Sequence, residues 1–137
     1  MLVQAYLSFE GRCEEALEFY SHALDAKVEV MMRFKDAPDP AALASIPANR
    51  RDKVMHAAFR VGDTTLMATD RDSSGKTNFQ GISLALTVPD VAAADRRFNA
   101  LADGGQVLQP LTQTFFSPRF GVVADRFGVT WMVLVGQ

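Results

Sequence analysis

The chain has 137 residues, 48% of them hydrophobic, which is enough to bury the core of one ordinary domain and excludes a disordered chain. Its formal charge is −2 and its Lys and Arg residues are scattered without a basic run, so it lacks the electrostatic footprint of a nucleic-acid binder. A single cysteine, Cys13, excludes an internal disulfide, and no apolar run approaches the roughly 20 residues of a membrane-spanning helix. The opening Met1-Leu2-Val3-Gln4 has no charged region leading into an apolar stretch, so the expected compartment is the cytosol, with no membrane partner. Cys13 stands beside Glu14 and Glu15, not in the electropositive setting of a reactive thiolate.

Residues 3 to 9 alternate Val3, Ala5, Leu7 and Phe9 with Gln4, Tyr6 and Ser8, the period of a strand with one face in a core. Gly11 ends it. From Glu14 to Leu24, Ala16, Leu17, Tyr20, Ala23 and Leu24 recur at helical spacing, with Glu14, Glu15 and Glu18 suited to the N-terminal half of the helix. Val28 to Phe34 alternates again and predicts a second strand, with Arg33 on its non-core face. Residues 36 to 52 carry Pro38, Pro40 and Pro47 and read as an inserted loop with at most one helical turn. Strands Met55 to Val61 and Thr64 to Thr69 then form a hairpin about Gly62-Asp63.

The stretch Asp70 to Phe79, rich in Asp, Ser and Gly, reads as a linker. Within it Ser73-Ser74-Gly75-Lys76-Thr77 echoes the end of a phosphate-binding loop but lacks the earlier glycine. A second set follows: strand Ile82 to Val88, an N-cap at Asp90, helix Val91 to Ala102 stopped at Gly104-Gly105, then strands near Val107 to Thr112, Phe120 to Ala124 and Thr130 to Val135. The order is βαβββ twice, an α+β fold with a first module at 1–70, a linker at 71–80 and a second module at 81–137. A shift of 79 carries Ala5, Leu7 and Phe9 onto Leu84, Leu86 and Val88, and Val28 onto Val107. After the loop a shift of 65 carries Thr65-Leu66-Met67 onto Thr130-Trp131-Met132, as an internal repeat with a longer first-half loop requires.

Three blocks carry a resemblance. They are Phe9-Glu10-Gly11-Arg12-Cys13-Glu14-Glu15-Ala16-Leu17-Glu18-Phe19-Tyr20, Lys53 to Met67, and Asp125-Arg126-Phe127-Gly128-Val129-Thr130-Trp131-Met132, the last an Asp-x-Phe-Gly-x-x-Trp closing pattern. Together with the paired βαβββ order they resemble PhnB-like proteins of the vicinal oxygen chelate superfamily, which also holds glyoxalase I, bleomycin-resistance proteins and extradiol dioxygenases. Labels for such relatives reach as far as ubiquinone-pathway methyltransferase. This chain has no Gly-rich strand-to-helix turn suited to a nucleotide cofactor.

The resemblance implies four metal-ligand positions, one on the first and one on the last strand of each module, filled in metal-dependent members mainly by His, Glu and Gln. Here they fall at Gln4, Met67, Ser83 and Met132. A thioether is a poor ligand for hard or borderline divalent ions, so no metal and no other cofactor is expected, and Met67 and Met132 read as flexible apolar lining. His56, on one strand face with Ala58 and Arg60, is the candidate for proton transfer or anion contact. Arg33 and Arg60 are candidate oxyanion donors, and Tyr6 and Phe116 add aromatic surface for a ligand. Trp131 shares a face with Val129 and Val133 and belongs to the core.

Two readings of function follow. One is a metal-free binder that holds a small molecule in a trough between the modules, as a homodimer. The other is a lyase- or isomerase-type enzyme on a small phosphonate-like or carboxylate substrate, with His56 as base and an arginine as clamp. A divalent-metal glyoxalase- or dioxygenase-like enzyme is a further alternative, requiring relocated ligands.

Overall fold

A computed structural model describes residues 1–136, which fold as two units, one spanning Met1–Thr77 and the other beginning at Asn78. In the first, β1 (Tyr6–Ser8), α1 (Cys13–Leu24), β2 (Lys27–Arg33), a short helix α2 (Pro40–Ala44), β3 (Val54–Val61) and β4 (Thr64–Thr69) follow in order. Its sheet runs β1-β4-β3-β2, with β1 parallel to β4 and the other neighbours antiparallel. The second unit holds β5 (Ser83–Val88), α3 (Val91–Ala102), β6 (Gln106–Thr112), β7 (Phe120–Ala124) and β8 (Thr130–Val135), in the matching order β5-β8-β7-β6.

The register bears out the repeat. Tyr6 pairs with Met67 and Ala85 pairs with Met132, so the shifts of 79 and 65 carry one cross-strand pair onto the other. In the first unit the buried face of α1, with Ala16, Leu17, Tyr20 and Leu24, packs on Leu7, Phe59, Leu66 and Ala68; Tyr20 stacks on Phe59 with ring centroids 5.8 Å apart. In the second unit Phe98 and Leu101 of α3 are buried together with Trp131, Val133 and Val135. Asp90 caps α3 by accepting from the Ala93 amide at 2.8 Å, as expected.

Several expectations need correction. The first strand is shorter than the alternation suggested: Val3 is exposed, and pairing begins where the Ala5 carbonyl receives the Met67 amide. The inserted loop at 36–52 holds two helical turns, not one, at Pro40–Ala44 and Ala48–Arg50, with Asp39 capping α2 through the Ala41 amide, and a further turn at Phe34–Asp36 replaces the end of the predicted second strand. The start of the 70–79 stretch is no linker. Asp70 is 1% exposed and hydrogen-bonded on both oxygens, and Gly75 donates its amide to the Glu10 carbonyl, so the first unit continues to Thr77.

Two buried aspartates anchor the units. Asp70 Oδ1 accepts the amides of Gly11 and Cys13, and Oδ2 accepts that of Val54, all at 2.8 Å. It caps α1 from a distance, because Arg12, the residue at the helix start, makes no side-chain cap bond. In the second unit Asp125 accepts the amides of Phe127 at 2.9 Å and Val129 at 3.1 Å, and Trp131 Nε1 at 2.9 Å. The Asp-x-Phe-Gly-x-x-Trp pattern is therefore a turn that ties its own aspartate to its own tryptophan.

Candidate functional site

Cross-strand partners share a sheet face. Leu66 and Ala68 face α1, so Met67 faces away from it, and with Met67 go its partners Tyr6 on β1 and Ala58 on β3. His56 precedes Ala58 by two residues and joins that open face, opposite Met32 of β2. The Tyr6 hydroxyl reaches across β4 to His56 Nδ1 at 3.1 Å, and the two rings meet edge to face with centroids 5.6 Å apart. Tyr6 is 53% exposed and Met32 partly so. The face thus presents a coupled phenol and imidazole among Met32, Met67, Ala58 and Val30.

The other candidates of this unit are placed differently. Gln4 lies near the open face, but its amide nitrogen donates to the Thr65 carbonyl at 3.1 Å. Arg60 is on the open face near the hairpin end of β3, where it donates to the Gly62 carbonyl at 2.9 Å and stands 3.9 Å from Glu29. Arg33 does not join them. A bulge between Val28 and Val30 breaks the alternation of β2 and a second irregularity follows Met32, so Arg33 pairs with Val54 and turns toward α1. Its guanidinium forks onto the Glu14 carboxylate and donates to the Asp52 carbonyl at 2.7 Å. The hydrogen bond to Glu14 raises the Arg33 pKa, against the opposing effect of desolvation and with further help from the charges of Glu14, Asp52 and Asp36.

In the second unit Ser83 is exposed and pairs with Thr130, while Met132 lies between Ala85 and Val122 on the face away from α3. Phe116 contacts the Phe120 ring at 5.1 Å and the Phe115 ring at 5.2 Å. Phe120 pairs with Leu134, which shares the face of Met132. The loop carrying these phenylalanines is pinned by buried Ser117, whose hydroxyl donates to the Arg119 carbonyl at 2.6 Å and accepts the Val135 amide at 3.1 Å.

The donors do not fit a divalent metal. Of the four positions that the resemblance implies, two are thioethers, Ser83 is a hydroxyl, and Gln4 offers a single neutral amide oxygen. Among the described residues no three of His, Cys, Asp and Glu cluster as a metal site would require. Burial drives the Cys13 thiol pKa far upward, reinforced by the charges of Asp70 and Glu14, so it is no nucleophile.

Sequence reasoning missed Asp70 and Asp125 as organising residues. The signal for Asp125 was present in its spacing to Phe127, Val129 and Trp131; Asp70 was hidden in turn-forming composition.

Two mixed four-stranded sheets, each built by βαβββ and covered by a helix on one face, define a paired-module protein of glyoxalase-like fold. The profile of the Glyoxalase/Bleomycin resistance protein/Dioxygenase superfamily matches residues 4–133, and the chain belongs to that superfamily, the vicinal oxygen chelate proteins. Protein YjdN of Escherichia coli is 31% identical over 140 residues, covering 98% of this chain and 95% of that protein. A solved structure of protein PA1353 from Pseudomonas aeruginosa is 40% identical with a TM-score of 0.84, covering 100% of this chain and 98% of the other. A PhnB protein from Bacillus cereus, whose name also carries 3-demethylubiquinone-9 3-methyltransferase, is 28% identical with a TM-score of 0.79, covering 99% of this chain and all of that one. No described helix is long and apolar enough to cross a membrane.

Proposed function

We propose that this chain is a small-molecule binding protein that works without a resident metal, and that its ligand lies on the open face of the first sheet, against Tyr6 and His56. The observation that carries this reading is the Tyr6–His56 hydrogen bond of 3.1 Å, with Met32, Met67, Ala58 and Val30 as its neighbours on the same face. Such a face suits an organic ligand with one or two polar groups: the methionines adapt to its shape, and the phenol and imidazole orient it. Phe116, Phe120 and Met132 give the open face of the second unit a similar aromatic and thioether character. The protein acts as a cytosolic homodimer on this reading, supported by the superfamily resemblance and by partly exposed Val28, Val30 and Met32 along edge strand β2.

An enzymatic reading is favoured by the same hydrogen bond. Tyr6 fixes the orientation of the imidazole at Nδ1, leaving Nε2 as the nitrogen for proton transfer to a substrate. The arginine of such a site is Arg60, since Arg33 faces α1.

Metal analysis of untagged protein never exposed to chelator, followed by a ligand thermal-shift screen on the same sample, tests the proposal. Sub-stoichiometric metal, with ligand shifts reduced in Tyr6→Phe and His56→Ala, is the expected result. Near-stoichiometric metal would overturn the metal-free reading. Turnover lost in His56→Ala while affinity is kept would select the enzyme.

A further inference from the structure

A cleft of about 400 Å³ opens on the α1 side of the first sheet, so it is separate from the Tyr6–His56 face. It is lined by Gly11, Glu14, Arg33, Lys35, Asp52 and Lys53, with Val54 and Asp70 at its base. The volume is at the small end of ligand pockets. Three of the lining groups are cations, and the backbone fixes their spacing: beyond β2 and β3 the Phe34 amide donates to the Lys53 carbonyl at 3.1 Å and the Lys35 amide to the Arg51 carbonyl at 2.9 Å.

The carboxylates of the cleft are not equivalent. Asp70 is buried with both oxygens taken by three amides, so it belongs to the wall. Glu14 and Asp52 have side chains 60% and 83% exposed, and their pairs with Arg33 and Lys35 are of the solvent-screened kind that contributes little. Lys53 Nζ donates to the Gly11 carbonyl at 2.9 Å. Both terminal nitrogens of Arg33 point at the one Glu14 carboxylate, so the fork already displays the arrangement in which a planar oxyanion is received.

We infer that this cleft binds a small multivalent oxyanion, with two or more charges on phosphate-, sulfate- or carboxylate-type oxygens, which displaces Glu14 from the Arg33 fork and is gripped by Lys35 and Lys53. The charge requirement follows from the competition. A monovalent carboxylate only trades places with Glu14, whereas a multivalent anion also engages the two ammonium groups. Glu14 is thus the built-in competitor, and its charge sets the threshold for entry.

The test is an NMR titration of 15N-labelled full-length protein with inorganic pyrophosphate at fixed ionic strength, with acetate as the monovalent comparison. Saturable shifts of the Gly11, Glu14, Lys53 and Val54 amides by pyrophosphate, and much weaker ones by acetate, are expected. The double variant Lys35→Gln/Lys53→Gln weakens binding by about tenfold or more, while Lys76→Gln, outside the cleft, leaves it unchanged. Glu14→Gln strengthens binding by about two- to fivefold, the weight of one exposed ion pair. Because that variant gains affinity, misfolding cannot imitate it. Unmoved Gly11 and Val54 amides, equal response in the double lysine variant with its second-unit amides still native, or no gain in Glu14→Gln would each overturn the inference.

Discussion

Replacing Asp70 by asparagine keeps the side chain's shape and removes one acceptor. In the better orientation the amide oxygen still receives Gly11 and Cys13, which leaves the new NH2 pointing at the Val54 amide, now 2.8 Å from a donor instead of an acceptor. One charge-assisted bond is lost and two buried donors face each other. A lost bond to a charged acceptor contributes about 1.5–3 kcal/mol, and an unsatisfied buried donor adds about 1 kcal/mol or more, so the expected loss is about 3 kcal/mol. The opposite flip sets the NH2 against two amides and is worse. Asp70→Ala leaves three amides unpaired, including those that open α1, and should cost more than Asp70→Asn. For a chain of this size 3 kcal/mol corresponds to a fall in Tm of roughly 10–15 °C. Urea unfolding followed by circular dichroism reads both variants. A loss under about 1 kcal/mol in Asp70→Asn, or a smaller loss in Asp70→Ala, would refute the role given to this carboxylate.

Four further outcomes are expected. Gly105→Ala places a Cβ 2.2 Å from the Ala124 carbonyl oxygen and should cost about 2 kcal/mol or more, while Gly62→Ala, with open space but φ +56°, should cost about 1 kcal/mol by the same denaturation assay. Cys13, fully buried with a raised pKa, should resist a thiol reagent at pH 8 in the native protein and titrate as one thiol in denaturant. Partial burial pushes the Glu10 pKa up, but hydrogen bonds from Ser8 and Ser74, aided by Arg71, outweigh it and hold the pKa below the usual range. A lowered folded pKa means stability present at neutral pH and lost as pH falls below about 4.3, so Glu10→Gln should flatten the acid limb of the stability profile. Tyr6→Phe should weaken the affinity of an open-face ligand that contacts the pair by roughly tenfold, measured by calorimetry, with stability little changed at so exposed a position.

The alternation of Leu7 and Phe9, of the β3–β4 hairpin and of the last strands was enough to place the two sheets. Helical spacing was enough to place α1 and α3 within a residue. The 79-residue repeat rests on the same signal, because a cross-strand pair repeats when its strands do. Arg33 was misplaced for a definite reason. Alternation assumes an unbroken pleat, and the extra residue between Val28 and Val30 in β2 reverses the parity of the residues beyond it. Asp70 was misread because turn-rich composition describes a segment's average, whereas one carboxylate at the end of a strand can close three amides at once. The Tyr6–His56 contact joins residues on strands separated by β4, and only the sheet order reveals it.

Metal-free binding on the open face is read out by a small-molecule NMR screen on protein carrying 13C-labelled methionine methyls, held in chelator throughout. Ligands are expected that shift Met32 and Met67 together with the His56 ring signals, and that lose affinity in Tyr6→Phe. Ligands that bind only after a divalent ion is added, or that leave Met67 and His56 unmoved, would contradict it.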